Sequence, residues 1–102
     1  MITISTTSDS KEILKNISEE LLKEKLTLCT HITKISKSSY IWKNKIVHKK
    51  EYKLEIKTTE KKENAVVDCI EKNHNYKVFE ISKKRVKNLN KDYETWFKKQ
   101  LI

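Results

Sequence analysis

An α+β fold, two helices laid on one face of an antiparallel sheet, is predicted by three features of the sequence. Apolar residues recur at every second position in some stretches and at helical spacing in others, which separates strands from helices. These stretches follow one another as strand, helix, strand, strand, helix, strand, with one further helix appended. The two middle strands are joined through "WKNKI", a turn short enough to make them a single long hairpin.

Met1 to Thr6 alternates apolar residues with Thr and Ser, as a short strand does. Ser8, Asp9 and Ser10 are all N-cap types, and Asp9 with Glu12 has capping-box spacing. A helix is predicted behind them, with Ile13, Leu14, Ile17, Leu21 and Leu22 on one apolar stripe. From Leu28 to Lys34 the period returns to two, with Cys29, His31 and Thr33 opposite Leu28, Thr30 and Ile32. Ser38–Trp42 continues that strand, and a bend is expected near Lys34 to Lys37. Ile46–Thr58 forms the return strand, with Tyr52, Leu54, Ile56 and Thr58 on one face. In the turn, Asn44 is the residue best able to take a left-handed backbone where glycine is missing. Thr58 or Thr59 is placed to cap a second helix carrying Ala65, Val66, Cys69 and Ile70, and Lys77–Ser82 alternates as a fourth strand. Asn90 is placed to cap a last helix carrying Tyr93, Trp96 and Phe97. The predicted whole is a ferredoxin-like β-α-β-β-α-β sandwich with an antiparallel sheet, a long β2-β3 hairpin and a C-terminal helix. It occupies 1–102 as one domain, since 102 residues leave no room for a second core.

The core of such a chain is modest. Only 36% of residues are hydrophobic, and as many are charged, so a lone copy gains little from burial unless it also covers surface against other copies. The net charge of +9 invites a nucleic-acid reading. Against it, Arg85 is the only arginine, glycine and proline are absent, Ala65 is the only alanine, and Lys, Asn and Ile abound. That skew is the mark of an AT-rich genome, and arginine is the residue that makes bidentate and stacking contacts to nucleic acid. No nucleic-acid partner is therefore expected. Cys29 and Cys69 form no C-x-x-C pattern and are expected as reduced thiols in a cytoplasmic protein. No segment has the pattern of a secretion signal or a membrane span, so no membrane partner is expected.

Four groups of residues carry chemistry. "SSYIWKNKI" places Tyr40 and Trp42 on one strand face beside lysines, and three readings compete: a stacking platform for bases, core filling, or a hairpin tip covered on assembly. Cys29 and His31 project from one strand face as a thiol and an imidazole suited to copper or zinc, but two ligands do not complete a site that needs three or four. The alternative is a buried small thiol beside a surface or interface histidine. What pairs Lys57 with Glu80 is a family resemblance and not their spacing; so paired, they read either as an acid-base pair or as an ion pair at a subunit contact. His74 reads as a ligand or as the residue closing the second helix. No triad, H-E-x-x-H or glycine-rich phosphate loop is present, and no enzymatic activity is expected.

In their order and spacing, "LCTHI", "SSYIWKNKI", "EYKLEIKTT" from Glu51, "HNYKVFEI" from His74 and "DYETW" from Asp92 resemble the successive signatures of the CutA family of divalent-cation tolerance proteins, over nearly the whole chain. The resemblance implies the same ferredoxin-like sandwich. It also implies a homotrimer akin to the PII signalling proteins, with hairpins and sheet edges paired between subunits, and a role in tolerance of copper and other divalent metals. It further implies a pocket between subunits where Cys29 lies near Tyr40, Trp42, Lys57 and Glu80, able to hold an anion or small molecule. Here Asn44 stands for the family's turn glycine, and Asn75 and Phe79 stand for two prolines. Ser5, Asn73 and His74 occupy places where some members carry a cysteine and two histidines taken as metal ligands. Cys29, His31 and His74 are thus the candidate metal ligands, and Tyr40, Trp42, Lys57 and Glu80 the candidate pocket. The function expected is trimeric metal or small-ligand binding. A PII-like sensor of a small ligand and a basic RNA-binding module are the alternatives.

Overall fold

The computed structural model describes residues 1–101; Ile102, the end of the predicted domain, lies outside the described residues. The elements are β1 (Ile2–Ser8), α1 (Lys11–Lys23), β2 (Cys29–Trp42), β3 (Lys45–Thr58), α2 (Glu63–Asn73) after a 3-10 turn (Glu60–Lys62), β4 (Ile81–Arg85) and α3 (Lys91–Gln100). Strand order is β2-β3-β1-β4, with β1 antiparallel to both β3 and β4. Alternation decides which side is buried. Ile2 and Ile4 of β1 and Leu54 and Ile56 of β3 meet Leu14, Ile17 and Leu21 of α1 and Val66, Cys69 and Ile70 of α2 in one core. The opposite sheet face carries Lys57, whose ammonium lies 5.9 Å from the ring centroid of Tyr93, so α3 folds against that side. Phe97 and Leu101 are buried beneath it.

Caps fix the helix ends. Ser10, not Asp9, caps α1, accepting from the Ile13 amide at 3.2 Å. Asn90 caps α3 as predicted, accepting from the Tyr93 amide at 3.1 Å. Neither threonine caps α2. Thr58 gives its hydroxyl to the Leu26 carbonyl at 2.7 Å, and Thr59 precedes the 3-10 turn with no side-chain bond. Leu22 and Ala65, predicted on the buried stripes, are exposed at the edges of α1 and α2. Without glycine, the left-handed positions fall to Lys25 (φ 54°) after α1 and to Lys43 (φ 51°) and Asn44 (φ 64°) in the hairpin turn.

The fourth strand starts four residues later than Lys77. Register would set Glu80 and Phe79 against Thr7 and Ser8, since Ile81 opposes Thr6. The Thr7 carbonyl is instead taken by the His74 ring at 2.9 Å, so the ladder begins only at Ile81. It runs on past Ser82 to Arg85. Glu80 is therefore on the connection, not on the strand.

β1 pairs with β3 only over Tyr52–Thr58, whereas β2 pairs with β3 to the tip. The remainder is a two-stranded arm that stretches the molecule to 47 × 27 × 19 Å.

Candidate functional site

Parity along β2 shows how the predicted residues come to share a face. Cys29, His31, Thr33 and Ile35 point one way; an unbroken strand would send Tyr40 and Trp42 the other way. The register breaks between Ile35, opposite Glu51, and Ser38, opposite Lys49, so Ser36 and Lys37 face Lys50 alone. This bulge adds one residue and restores the face, because Glu51 and Lys49 lie on the same side of β3. Cys29, His31, Tyr40, Trp42 and Lys57 consequently share the sheet face away from α1 and α2. The expected bend near Lys34 to Lys37 is this bulge.

At one end of that face, Cys29 Sγ lies 3.7 Å from His31 Nε2, and Lys57 is the cross-strand partner of Cys29. Cys29 is half-buried and His31 exposed. At the other end Tyr40 is 37% exposed and Trp42 50%. Ile41 and Ile46, paired across the tip on its reverse face, are each 74% exposed. The tip of the arm thus exposes large apolar side chains on both faces.

Glu80 and His74 do not join this group within one chain. Ile81, the residue after Glu80, opposes Thr6 and Lys57 opposes Thr3, an offset of about 10 Å along the strands and about 10 Å across two of them. Lys57 turns to Tyr93 instead. His74 is bound at Thr7, at a similar remove from Cys29. Its Nδ1 accepts the Tyr76 amide at 3.0 Å, its Nε2 donates to the Thr7 carbonyl, and its ring stacks on Phe79 with centroids 4.3 Å apart. Both nitrogens are used in the neutral Nε2–H form, so His74 is a structural closure of α2 with no lone pair to offer a metal. Among the described residues, no three of His, Cys, Asp and Glu gather into a group that could hold a metal ion. Two open grooves, of about 270 and about 230 Å³, contain none of the predicted site residues.

Burial lowers the His74 pKa below its ordinary 6.5, outweighing the Thr7 hydrogen bond and the charges of Asp9 and Glu51. The folded state then binds fewer protons than the unfolded one between the two values. Its contribution to stability is complete above about pH 6.5 and is lost as pH falls through the folded pKa. An NMR titration is expected to show a His74 midpoint below 6.5, with the ring as the Nε2–H tautomer above it; a midpoint above 6.5 would contradict this assignment.

Sequence reasoning missed a polar knot at the root of the arm. Tyr76 donates its hydroxyl to Glu51 Oε2 at 2.7 Å and receives the Asp9 amide at 2.8 Å. Lys49 reaches Asp9 at 3.2 Å and lies 5.0 Å from the Tyr76 ring centroid. Asn75 bonds both Ser8 and Asp9. Burial and then the Glu51 hydrogen bond push the Tyr76 hydroxyl well above its usual range. Burial pushes the Asp9 carboxyl up, but hydrogen bonds from Asn75 and Lys49 and the charge of Lys49 outweigh it and leave the pKa lowered. The partners lie 25 to 67 residues apart in sequence, so no local spacing announces them. On the helix side, Cys69 donates to Glu20 Oε2 at 3.2 Å, and burial followed by that bond pushes its thiol up to about 12, making it an inert core thiol.

Comparison with known proteins agrees with this arrangement. Residues 2–100 match the family described as CutA1 divalent ion tolerance protein. The chain is 31% identical over 102 residues to the divalent-cation tolerance protein CutA of Thermotoga maritima, covering all of both chains. It is 25% identical over 100 residues to the protein of the same name from Salmonella newport, covering 98% of this chain and 87% of that one. Among solved structures it superposes on CutA1 from Pyrococcus horikoshii with a TM-score of 0.89 at 29% identity, over 98% of this chain and 97% of that one. It superposes on the periplasmic divalent cation tolerance protein CutA from Archaeoglobus fulgidus with a TM-score of 0.92 at 28% identity, over 100% of both. Sequence, sheet topology and hairpin together show that this chain belongs to the CutA1 divalent ion tolerance family.

Proposed function

We propose that this chain serves divalent-cation tolerance as a homotrimer that binds a metal or small ligand between its subunits, acting by binding and not by catalysis. The observation that carries the reading is the arm: Tyr40 and Trp42 on one face and Ile41 and Ile46 on the other stay exposed on a single chain, and a neighbouring copy is what would cover them. The sheet edges β2 and β4 would gain partners in the same step.

Cys29 and His31 supply the sulfur and nitrogen donors that suit copper, and among the described residues no third donor stands beside them. A metal held there would need a ligand from a neighbouring copy. In this reading Glu80 of a neighbouring copy would meet Lys57 across such a contact and close the pocket beside Tyr40 and Trp42. The reading as a PII-like sensor draws on the same place, where the Lys57 ammonium beside Cys29 suits an anionic ligand. Unpaired Cys29 and Cys69 accord with a cytoplasmic location.

Calorimetric titration with copper, run in parallel with zinc because zinc does not oxidise a thiol, tests the metal reading. The chain carrying Cys29→Ser with His31→Ala is expected to bind at least about tenfold more weakly, and His74→Ala to bind as wild type does. Unchanged stoichiometry and affinity in the double variant would remove Cys29 and His31 from the site.

A further inference from the structure

The arm is aimed by something outside its own pairing. Beyond Glu51, β3 has lost β1 as a neighbour and keeps only β2, and a two-stranded ribbon is marginal by itself. The bulge at Ser36 and Lys37 bends the ribbon at the same level. Two contacts tie the ribbon's root to the body there. The buried Glu51 carboxylate, 8% exposed, accepts from the Tyr76 hydroxyl at 2.7 Å, and Lys49 meets Asp9 at 3.2 Å. Tyr76 is in turn held by the body: its hydroxyl accepts the Asp9 amide, and its own amide is bound by His74, which is fixed on the Thr7 carbonyl. Its neighbour Asn75 bonds Ser8 and Asp9. One tie therefore runs from β3 at the arm's root, through one phenol, to the end of β1, and the exposed Lys49–Asp9 ion pair runs beside it.

From this geometry we infer that Tyr76 is a positioning residue that sets the angle of the β2-β3 arm, and so the ability of one copy to engage the next. The second half rests on the assembly reading above. Removing the hydroxyl leaves the buried Glu51 carboxylate without its donor and the Asp9 amide without its acceptor, while the ring still fills its place. The core on the other side of the sheet, around Leu54 and Ile56, is untouched by the change.

Two readouts of Tyr76→Phe test this. The first is hydrogen exchange followed by mass spectrometry over residues 36–50 and 54–58. The second is the distance between nitroxides placed by Asn16→Cys and Lys45→Cys in a Cys29→Ser, Cys69→Ser background, diluted with unlabelled chain. Exchange in the arm is expected to rise about ten- to hundredfold, with residues 54–58 unchanged, and the distance distribution is expected to broaden. Glu51→Gln keeps an acceptor for the phenol and is expected to retain the narrow distribution, whereas Glu51→Leu should reproduce Tyr76→Phe. Wild-type exchange and width in Tyr76→Phe would overturn the inference. So would a rise in 54–58 equal to that in the arm, which marks a fold-wide role. If wild type sediments as a single chain, the assembly reading fails, while the exchange and distance readouts still decide what Tyr76 does.

Discussion

Tyr40→Ser combined with Trp42→Ser is expected to leave the chain folded and to separate the copies. Both side chains stand on the arm, away from the core of Ile4, Leu14, Ile17, Leu54 and Ile70, so the far-ultraviolet dichroism of the variant should match wild type. Between copies the effect is large. Buried aromatics are the usual anchors of an interface, and truncating one costs about 2 kcal/mol or more. Two such losses, discounted because anchors are not additive, weaken association by roughly a hundredfold to a thousandfold. Sedimentation at a series of concentrations reads this directly. A variant that associates as tightly as wild type would mean that the two aromatics are not interface anchors.

Leu54→Ala is expected to cost about 2–5 kcal/mol of stability, a large share of the roughly 5–15 kcal/mol that holds a domain of this size. Leu54 is fully buried on β3, an inner strand of the sheet, with Ile32 of β2 on one side and Thr6 of β1 on the other. Neighbours on both sides and helices above leave the cavity little freedom to collapse, which favours the upper half of the range. The urea midpoint, compared at one chain concentration because assembly adds to stability, measures it. A loss below about 1 kcal/mol would show that the sheet relaxes around the gap. The same substitution at exposed Leu89 serves as the contrast, with an effect expected within about 0.5 kcal/mol.

The fold was legible where periodicity is strong. Leu14, Ile17 and Leu21 announce α1, the alternation from Tyr52 to Thr58 announces β3, and Asn90 marks the start of α3, because each signal is local and the structure obeys it. β4 was misplaced for a reason the sequence could not reveal. Val78, Phe79, Glu80 and Ile81 alternate as a strand should, yet a histidine earlier in the chain occupies the carbonyl that their ladder would need. The loss of the family's prolines at Asn75 and Phe79 hid this further, since a proline would have flagged a non-strand backbone.

The candidate site was half legible. The i, i+2 spacing of Cys29 and His31 predicts a shared face, and the two side chains do meet. That Tyr40 and Trp42 belong to that same face depends on the one-residue bulge, and a bend without a residue count leaves their side undetermined. Lys57 and Glu80 were grouped by resemblance to an assembled family, and a single chain holds them apart. The knot of Asp9, Lys49, Glu51 and Tyr76 was invisible because its members come from three separate segments, each of ordinary polar residues. Its one available signal was a Glu in an otherwise lysine-rich arm: between Lys34 and Lys53, Glu51 is the only acid, and it is the charged residue that is buried.

On the reading proposed above, copies of this chain assemble so that each covers the hairpin arm of another. Light scattering on the wild-type protein after size-exclusion chromatography tests it most directly. The expected mass is three times the 12.2 kDa of one chain, held on dilution and unaffected by added RNA. A mass of a single chain, with the arm's Tyr40 and Trp42 open to solvent, would contradict it.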